Sequence, residues 1–371
     1  MSGMNARAIL TAAVLVACAG AGGCARPERV GVSADGRGFV LAGGRAFVPW
    51  GFNYDHDADG RLIEDYWADE WPTVEGDFAE MKQLGANVVR VHLQLGRFMD
   101  SPTEPNQAAL GRLGRLLALA ERTGLYLDLT GLGCYHKRDV PAWYDALPEP
   151  RRWDVQARFW EAVAQRCAAS PAVFCYDLMN EPVVPGGGGK RTDWLGPDFA
   201  GKHFVQFVAL ELGDRSRPAV ARQWVRHLAA AIRRHDARGL ITVGLVPWSL
   251  DRPGLTSGFV PREIAAELDF LSVHIYPERD KLDDAMATLR GFAVGKPVVI
   301  EEIFPLRCGT DQLAEFVERS RTVAAGWVGF YWGKTPQEYR PPKTIAEAIT
   351  LKWLEYFERA AHRPSPVARS P

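Results

Sequence analysis

The sequence alternates short apolar runs with amphipathic helical patterns along most of its 371 residues. Eight of the apolar runs have the length and composition of buried strands. The predicted strands are Val48–Asn53, Ala86–Leu93, Leu125–Thr130, Val173–Pro182, Leu240–Val246, Asp269–His274, Val298–Glu302 and Trp327–Trp332. Helical patterns follow most of them, over residues 74–84, 110–124, 159–167, 218–232, 283–290, 311–324 and 344–361. Successive βα units predict a single-domain (β/α)₈ TIM barrel rather than a doubly wound sheet.

The segments that flank the barrel have their own signatures. Phe39–Pro49, with a turn at Gly43–Gly44, predicts a small N-terminal β-hairpin that closes the barrel floor. We therefore expect the barrel domain over residues 38–361, and the composition of residues 362–371 predicts a disordered tail.

Residues 1–24 have the pattern of an export signal. Arg7 precedes the short apolar core Ala8–Ala17, and small residues follow it. Leu15–Cys18 resembles a bacterial lipobox, and Ala21–Cys24 is a poorer second copy. We expect a secreted or cell-envelope-anchored protein, attached to a membrane only through a lipid on Cys18 or Cys24. An ordinary secretory signal is the alternative.

Two of the predicted strands end in glutamate. Val173–Pro182 reads as a buried parallel strand that stops at Asn180–Glu181, and Val298–Glu302 ends in a second carboxylate. In a (β/α)₈ barrel the carboxyl ends of the strands carry the active site. A single glutamate there is usually a solvated strand end, but two on separate strands suggest a two-carboxylate hydrolase.

Other polar residues collect at the same predicted ends of the strands. They are Asn53 with Tyr54 and Asp55, Arg90 with His92, Thr130, Asn180, His274 with Tyr276, and Trp332. Set among apolar runs, these residues predict one polar cluster at the mouth of the barrel.

These motifs resemble glycoside hydrolase family 5 and the wider clan of retaining (β/α)₈ glycosidases, over about Phe39 to Phe357. The matching motifs are Val88–Arg90, Asn180–Pro182, His274–Tyr276, Lys296–Glu302 and Trp332. The resemblance implies a glycosidase with Glu181 as general acid/base and Glu302 as nucleophile. It also implies that Arg90, Asn180, His274, Tyr276 and Trp332 line the sugar site or orient the nucleophile. Asn53 is expected to bind substrate as well, from its position at the end of the first barrel strand.

The end of the third strand and the two adjacent glutamates of the seventh strand each lead to a further expectation. The family usually ends its third strand in histidine, whereas this chain has Thr130. Side chains alternate along a strand, so Glu301 and Glu302 should point to opposite faces. The resemblance selects Glu302 as the nucleophile and leaves Glu301 at the rim, paired with a basic residue such as Lys334.

Aromatic residues are frequent in the predicted mouth loops, and two or three of them should touch sugar. They are Tyr66, Trp67, Trp71, Trp143, Tyr144, Trp194 and Trp248. We expect Trp194, in the long insertion Val183–Arg217, to contact substrate. The insertion should form one wall of the cleft.

No cofactor or metal is expected. Asp55–Gly60 begins like a calcium loop, but Tyr66 stands where the closing glutamate belongs. The cysteines lack metal-ligand spacing, and Cys167 with Cys175 forms either a disulfide or two buried thiols. A net charge of −1 argues against a nucleic-acid partner, and we expect a monomer.

The predicted activity is retaining hydrolysis of the O-glycosidic bonds of a β-linked oligo- or polysaccharide, of the glucan or mannan type. The alternative is a catalytically inactive carbohydrate-binding lipoprotein on the same barrel. A barrel without activity would be expected to lose a catalytic glutamate, and this chain has both Glu181 and Glu302.

Overall fold

A computed structural model describes residues 27–186, 189–250 and 256–361. The strands are β1 Val30–Val32, β2 Phe39–Leu41, β3 Ala46–Phe47, β4 Trp50–Tyr54, β5 Val88–Gln94, β6 Tyr126–Gly133, β7 Val173–Asn180, β8 Pro182–Val183, β9 Gln206–Phe207, β10 Leu240–Leu245, β11 Leu271–His274, β12 Val298–Glu302 and β13 Gly326–Phe330. The helices are α1 Ile63–Tyr66, α2 Trp71–Gln83, α3 Leu95–Phe98, α4 Gln107–Thr123, α5 Ala142–Asp145, α6 Glu149–Cys167, α7 Arg217–Arg233, α8 Pro261–Ile264, α9 Leu282–Gly291, α10 Thr310–Ser320 and α11 Ile345–Ala361.

The eight longer strands close into a barrel in the order β4-β5-β6-β7-β10-β11-β12-β13. All neighbouring pairs are parallel, including the closing pair of β13 with β4. The predicted (β/α)₈ barrel is therefore confirmed. Between β10 and β11 the residues that the structure describes form only the short helix α8 and two 3₁₀ turns, and none of these is a full-length covering helix.

Local sequence explains where the covering helices begin and end. The Asn106 side chain accepts a hydrogen bond from the Ala109 amide at the start of α4, and Gly124 ends that helix in the left-handed conformation. Ser216 caps α7 in the same way, with Pro218 in its first turn. These caps fix the boundaries, and the apolar face of each helix packs on the barrel wall.

Two glycines allow helices to pack directly on the barrel strands. A Cβ on Gly329 in β13 would overlap the indole of Trp353 from α11, and one on Gly131 in β6 would overlap Trp160 from α6. Trp353 also donates its indole N–H to the carbonyl of Phe330, at 2.9 Å. Close packing of this kind leaves no room for even a single methyl group.

An antiparallel three-stranded sheet, β1-β2-β3, covers the barrel floor. The Phe39 ring lies 5.2 Å from those of Phe174 and Phe270, which belong to the barrel's lower layer. The ring of Phe47 lies 4.9 Å from that of Tyr126. The predicted hairpin is confirmed as β2 and β3, while β1 is a strand that the sequence pattern did not predict. With the floor closed, the carboxyl ends of the strands form the open end.

Some predictions fall outside the described residues, namely the signal segment 1–24 with Cys18 and Cys24 and the tail 362–371. Within the described residues, none of the helices has the length and apolar content that a membrane span needs. Cys134, Cys167, Cys175 and Cys308 are free thiols, so the alternative of a Cys167–Cys175 disulfide is not the one observed.

Candidate active site

Two carboxylates meet at the open end of the barrel. Glu181 follows β7, Glu302 ends β12, and one oxygen of each lies within 4.8 Å of the other and of His274 Nδ1. Carboxyl groups about 5–5.5 Å apart are typical of retaining glycosidases, whereas inverting enzymes separate them by about 6.5–9.5 Å. The nearest oxygens of Glu181 and Glu302 are thus closer together than the carboxyl groups of inverting enzymes.

Glu302 accepts two hydrogen bonds and lies near a third positively polarised group. Arg90 Nη1 donates to Oε1 at 2.8 Å and the Tyr276 hydroxyl donates to Oε2 at 2.6 Å, while His274 Nδ1 lies at the ion-pair distance of 3.5 Å from Oε2. Burial raises the pKa of the Glu302 carboxyl, and the nearby Glu181 adds to this effect. His274, Arg90 and Tyr276 lower the pKa, and the balance leaves it above its usual value.

The backbone at Glu181 turns sharply out of the strand. Its φ is +46°, in the left-handed region that residues with a Cβ rarely adopt. The Glu181 amide still donates to the Gly244 carbonyl at 3.0 Å, and Pro182 follows directly. The turn exposes about a fifth of the side chain and sets Oε1 2.9 Å from His274 Nδ1. Strained backbone at the end of a barrel strand is a common feature of functional sites.

Arg90 is fully buried at the centre of the site. Besides Glu302, its guanidinium donates to the side-chain oxygens of Asn53 at 2.9 Å, Asp177 at 2.8 Å and Asn180 at 2.9 Å. Burial opposes its charge, but the surrounding carboxylates keep its pKa well above the usual value. Arg90 therefore remains a fixed cation that orients Glu302.

The structure gives Asn53 and Asn180 protein partners. The fully buried Asn53 uses both amide hydrogens, on the carbonyls of Glu301 at 2.8 Å and Gly329 at 3.0 Å. Asn180 donates one hydrogen to the Phe204 carbonyl at 3.0 Å and retains the second. Asn53 thus lies beneath the site and contacts Arg90, whereas Asn180 still has a donor for a ligand.

The predicted aromatic residues divide into two groups. Trp332 is half-buried at the mouth, donates to Asp55 Oδ1 at 3.2 Å and stacks on His56 at 5.7 Å. Trp194 is only 3% exposed and packs against Arg152, 4.4 Å from its guanidinium carbon. The expected sugar contact of Trp194 is not supported, because its ring lies within the loop packing. Four other predicted mouth residues are also buried: Tyr66, Trp67, Trp71 and Tyr144.

The expected position of Glu301 is wrong. Glu301 is fully buried inside the barrel, 3.5 Å from both Arg90 Nη2 and His274 Nε2, and not at the rim with Lys334. The pairing register explains the difference. From Val273 to His274, β11 advances by one residue, while β12 advances by two, from Ile300 to Glu302. At this irregularity the simple alternation of side chains fails, so Glu301 and Glu302 both point inward.

Sequence reasoning also missed Asp128 and Asp177, two buried carboxyl groups of β6 and β7. Asp177 accepts hydrogen bonds from Arg90, from Thr130 Oγ1 at 2.8 Å and from the Gly244 amide at 2.7 Å. Burial and the nearby Glu301 raise the pKa of Asp177 to about 6, although Arg90 opposes them. Thr130, which replaces the family's usual histidine, therefore orients Asp177. The sequence signal that could have identified these two residues is an aspartate within an otherwise apolar strand.

The loop that begins like a calcium site is organised by an arginine. Asp57 accepts hydrogen bonds from the Asp59 and Arg61 amides, both at 2.9 Å, and pairs with Arg61 Nε at 2.7 Å. The carboxylate that would be a calcium ligand is thus engaged by a cation of the same loop.

Comparisons with known proteins bear on the family and on the fold. The family model Cellulase (glycosyl hydrolase family 5) matches residues 34–329. No curated protein sequence matches the chain.

Among solved structures, an exo-β-1,4-mannosidase from Opitutaceae bacterium strain TAV5 is 20% identical with a TM-score of 0.66, over 92% of this chain and 63% of that one. The chain thus spans less than two thirds of the mannosidase. A β-mannanase from the blue mussel Mytilus edulis is 17% identical with a TM-score of 0.61, over 91% of this chain and 97% of that one. The catalytic domain of a Thermobifida fusca endoglucanase is 16% identical with a TM-score of 0.56, over 90% and 97%. At these identities the similarity establishes the fold.

Proposed function

Since the chain belongs to glycosyl hydrolase family 5 and is thus a glycosidase, we propose that it hydrolyses a β-1,4-linked glucan- or mannan-type glycan with retention of configuration. In this proposal Glu181 is the general acid/base and Glu302 is the nucleophile.

The proposed reaction is a double displacement. Glu302 attacks the anomeric carbon and forms a glycosyl ester, while Glu181 gives its proton to the departing glycosidic oxygen. The ionised Glu181 then removes a proton from water, which attacks the same carbon and releases Glu302 as a carboxylate. Two inversions at one carbon restore the β configuration.

The observation that carries the proposal is the separation of the two carboxylates, with oxygens within 4.8 Å. That gap is shorter than the separation of about 6.5–9.5 Å that lets an inverting enzyme place a water molecule between its second carboxylate and the sugar. The partners of Glu302 support its role as nucleophile, because Arg90 and the Tyr276 hydroxyl both stabilise its charged form.

The substrate class is proposed from the solved structures and from the aromatic surface at the mouth of the barrel. The structures compared above include a mannosidase and a mannanase as well as an endoglucanase, so mannan-type substrates are the first to test. Half-buried Trp332 offers an aromatic surface suited to the apolar face of a sugar.

The test is a panel of β-1,4-mannan, β-1,4-glucan and aryl β-glycosides, with NMR of the first-formed product. Turnover that gives the β-anomer first is expected, whereas an α-anomer would refute the double displacement. A 2-deoxy-2-fluoro glycoside should trap an ester on Glu302, identified by peptide mass spectrometry. Binding of oligosaccharides without turnover on any of the substrates would favour the inactive lipoprotein instead.

We also propose, from the sequence of residues 1–24, that the protein is exported. The expected lipid attaches to Cys18 or Cys24, after removal of the preceding residues. Labelling with a fatty-acid analogue should modify the wild-type chain and fail in the Cys18→Ser variant or in Cys24→Ser. Labelling that persists in the double variant would exclude both cysteines.

A further inference from the structure

A second layer of carboxyl groups lies beneath Glu181 and Glu302. It consists of Asp128, Asp177 and Glu301, each fully buried, with one oxygen of each within 4.8 Å of the others. The proposed chemistry uses none of the three directly. Buried carboxyl groups are costly to maintain unless each has a partner, so the partners of each member indicate what the layer does.

The three carboxyl groups differ in how their oxygens are satisfied. Asp177 accepts hydrogen bonds from a guanidinium, a hydroxyl and a backbone amide, as described above. Among the described residues, no hydrogen bond of ordinary geometry reaches either oxygen of Asp128 or of Glu301. One oxygen of Asp128 lies within 4.8 Å of one oxygen of Glu301. Two adjacent carboxylates in a buried site cannot both stay ionised, so this pair holds one proton.

Position decides which member of the pair carries the proton. Glu301 Oε2 lies 3.5 Å from the Arg90 guanidinium and 3.5 Å from His274 Nε2. Asp128 instead neighbours the Cys175 thiol, a weak donor with no charge. The negative charge is therefore favoured on Glu301 and the proton on Asp128. In agreement, burial raises the pKa of Asp128 well above its usual value, whereas Arg90 and His274 outweigh burial and lower that of Glu301.

His274 links this lower pair to the catalytic carboxylates. Its Nδ1 lies 2.9 Å from Glu181 Oε1, and its Nε2 faces Glu301. An imidazole with an acceptor oxygen at each nitrogen is best satisfied as an imidazolium, because both nitrogens are then donors. Gly244 makes room for this contact, since a Cβ there would lie 3.1 Å from Nε2 and 3.2 Å from Glu301 Oε2.

The charged and titratable groups around the pair come from every neighbouring strand. They are Arg90 on β5, Asp128 on β6, Cys175 and Asp177 on β7, His274 on β11 and Glu302 on β12. Burial opposes the charge of His274, but Glu302, Glu181 and Glu301 together raise its pKa to about 10.

We propose that Glu301, with Asp128 as its neutral partner, is a positioning residue that holds His274 as an imidazolium beside the general acid. The inference rests on the role proposed for Glu181. When Glu181 has given its proton to the leaving group, its new negative charge faces an N–H that is already positive. When Glu181 takes a proton from water it becomes neutral again beside the imidazolium, so the starting state is restored and no further proton enters or leaves the layer.

The test is the protonation state of His274 in the full-length protein, from side-chain ¹⁵N NMR of histidine-labelled protein titrated between pH 5.5 and 9.5. A His274→Asn sample serves only to assign the signal. Wild type should remain an imidazolium to at least pH 8. In the isosteric Glu301→Gln variant the ionisation equilibrium of His274 should shift at least tenfold toward the neutral form.

Asp128→Asn is the matched control, because asparagine retains a donor to Glu301 without removing charge. It should leave the His274 titration unchanged. A shift in Asp128→Asn with none in Glu301→Gln would overturn the charge assignment. If Glu301→Gln does not fold, the protonation state of His274 in wild type and in Asp128→Asn tests the proposal. A neutral His274 in wild type at pH 7 would refute it. Because the measurement needs no turnover, its failure is distinct from a failure of the glycosidase proposal.

Discussion

Removing the hydroxyl of Tyr276 tests how the charge of Glu302 is stabilised. In Tyr276→Phe the carboxylate loses a donor at 2.6 Å but keeps Arg90 at 2.8 Å. A hydrogen bond to a charged group contributes about 1.5–3 kcal/mol, and each 1.36 kcal/mol corresponds to about one pH unit. The loss disfavours the ionised form of Glu302, whose pKa is already raised.

The sign of the effect follows from the role proposed for Glu302. The nucleophile must be ionised, so activity is lost as the pH falls through its pKa. In Tyr276→Phe the acidic limb of kcat/KM should therefore move to higher pH by about one to two pH units. The assay is kcat/KM for an aryl β-glycoside between pH 3.5 and 9, with the basic limb fitted separately.

Tyr126→Phe is a matched control at the opposite end of the barrel, where the hydroxyl donates to the Glu28 carbonyl at 2.7 Å. It should cost about 1 kcal/mol of stability and leave the pH profile unchanged. An acidic limb that stays in place in Tyr276→Phe, or moves to lower pH, would refute the assignment of Tyr276 as a stabiliser of the Glu302 charge.

Three further predictions follow from the site and the fold. Glu181→Gln should slow substrates with poor leaving groups far more than activated aryl glycosides, because only the former need a proton donor; equal losses would contradict the acid role. Gly329→Ala should destabilise the protein by about 1–3 kcal/mol in chemical denaturation, because the added methyl overlaps Trp353, whereas Gly111→Ala on α4, with open space around it, should be neutral or stabilising. Trp332→Ala should raise KM for oligosaccharides several-fold, while Trp194→Ala should lower Tm with little change in KM, and the reverse pattern would restore Trp194 as the sugar contact.

The barrel could be predicted because its pattern is both periodic and local. Apolar runs of strand length between amphipathic helices specify buried parallel strands, and β12 was predicted with the bounds that the structure has. The ends of these strands then identify the mouth without further information. In contrast, β1 is a three-residue edge strand, too short to leave a periodic signal.

The errors in the site have a different physical origin. The inward position of Glu301 depends on a register irregularity between β11 and β12, which is a property of two strands together. Burial of Trp194 likewise depends on Arg152, which lies on α6 in another part of the chain. Sequence patterns assign residue types to strand ends, but pairings between distant segments decide which side chains reach the cleft.

The left-handed backbone at Glu181 has a consequence for any effort to make this protein more robust. A residue with a Cβ pays about 1–2 kcal/mol to adopt such a conformation, while glycine adopts it readily. A library screened for heat resistance alone would thus gain little from keeping glutamate here and could accept glycine. The proposed general acid would be lost without any visible defect in folding. A screen for thermal stability that varies this position must therefore also measure turnover.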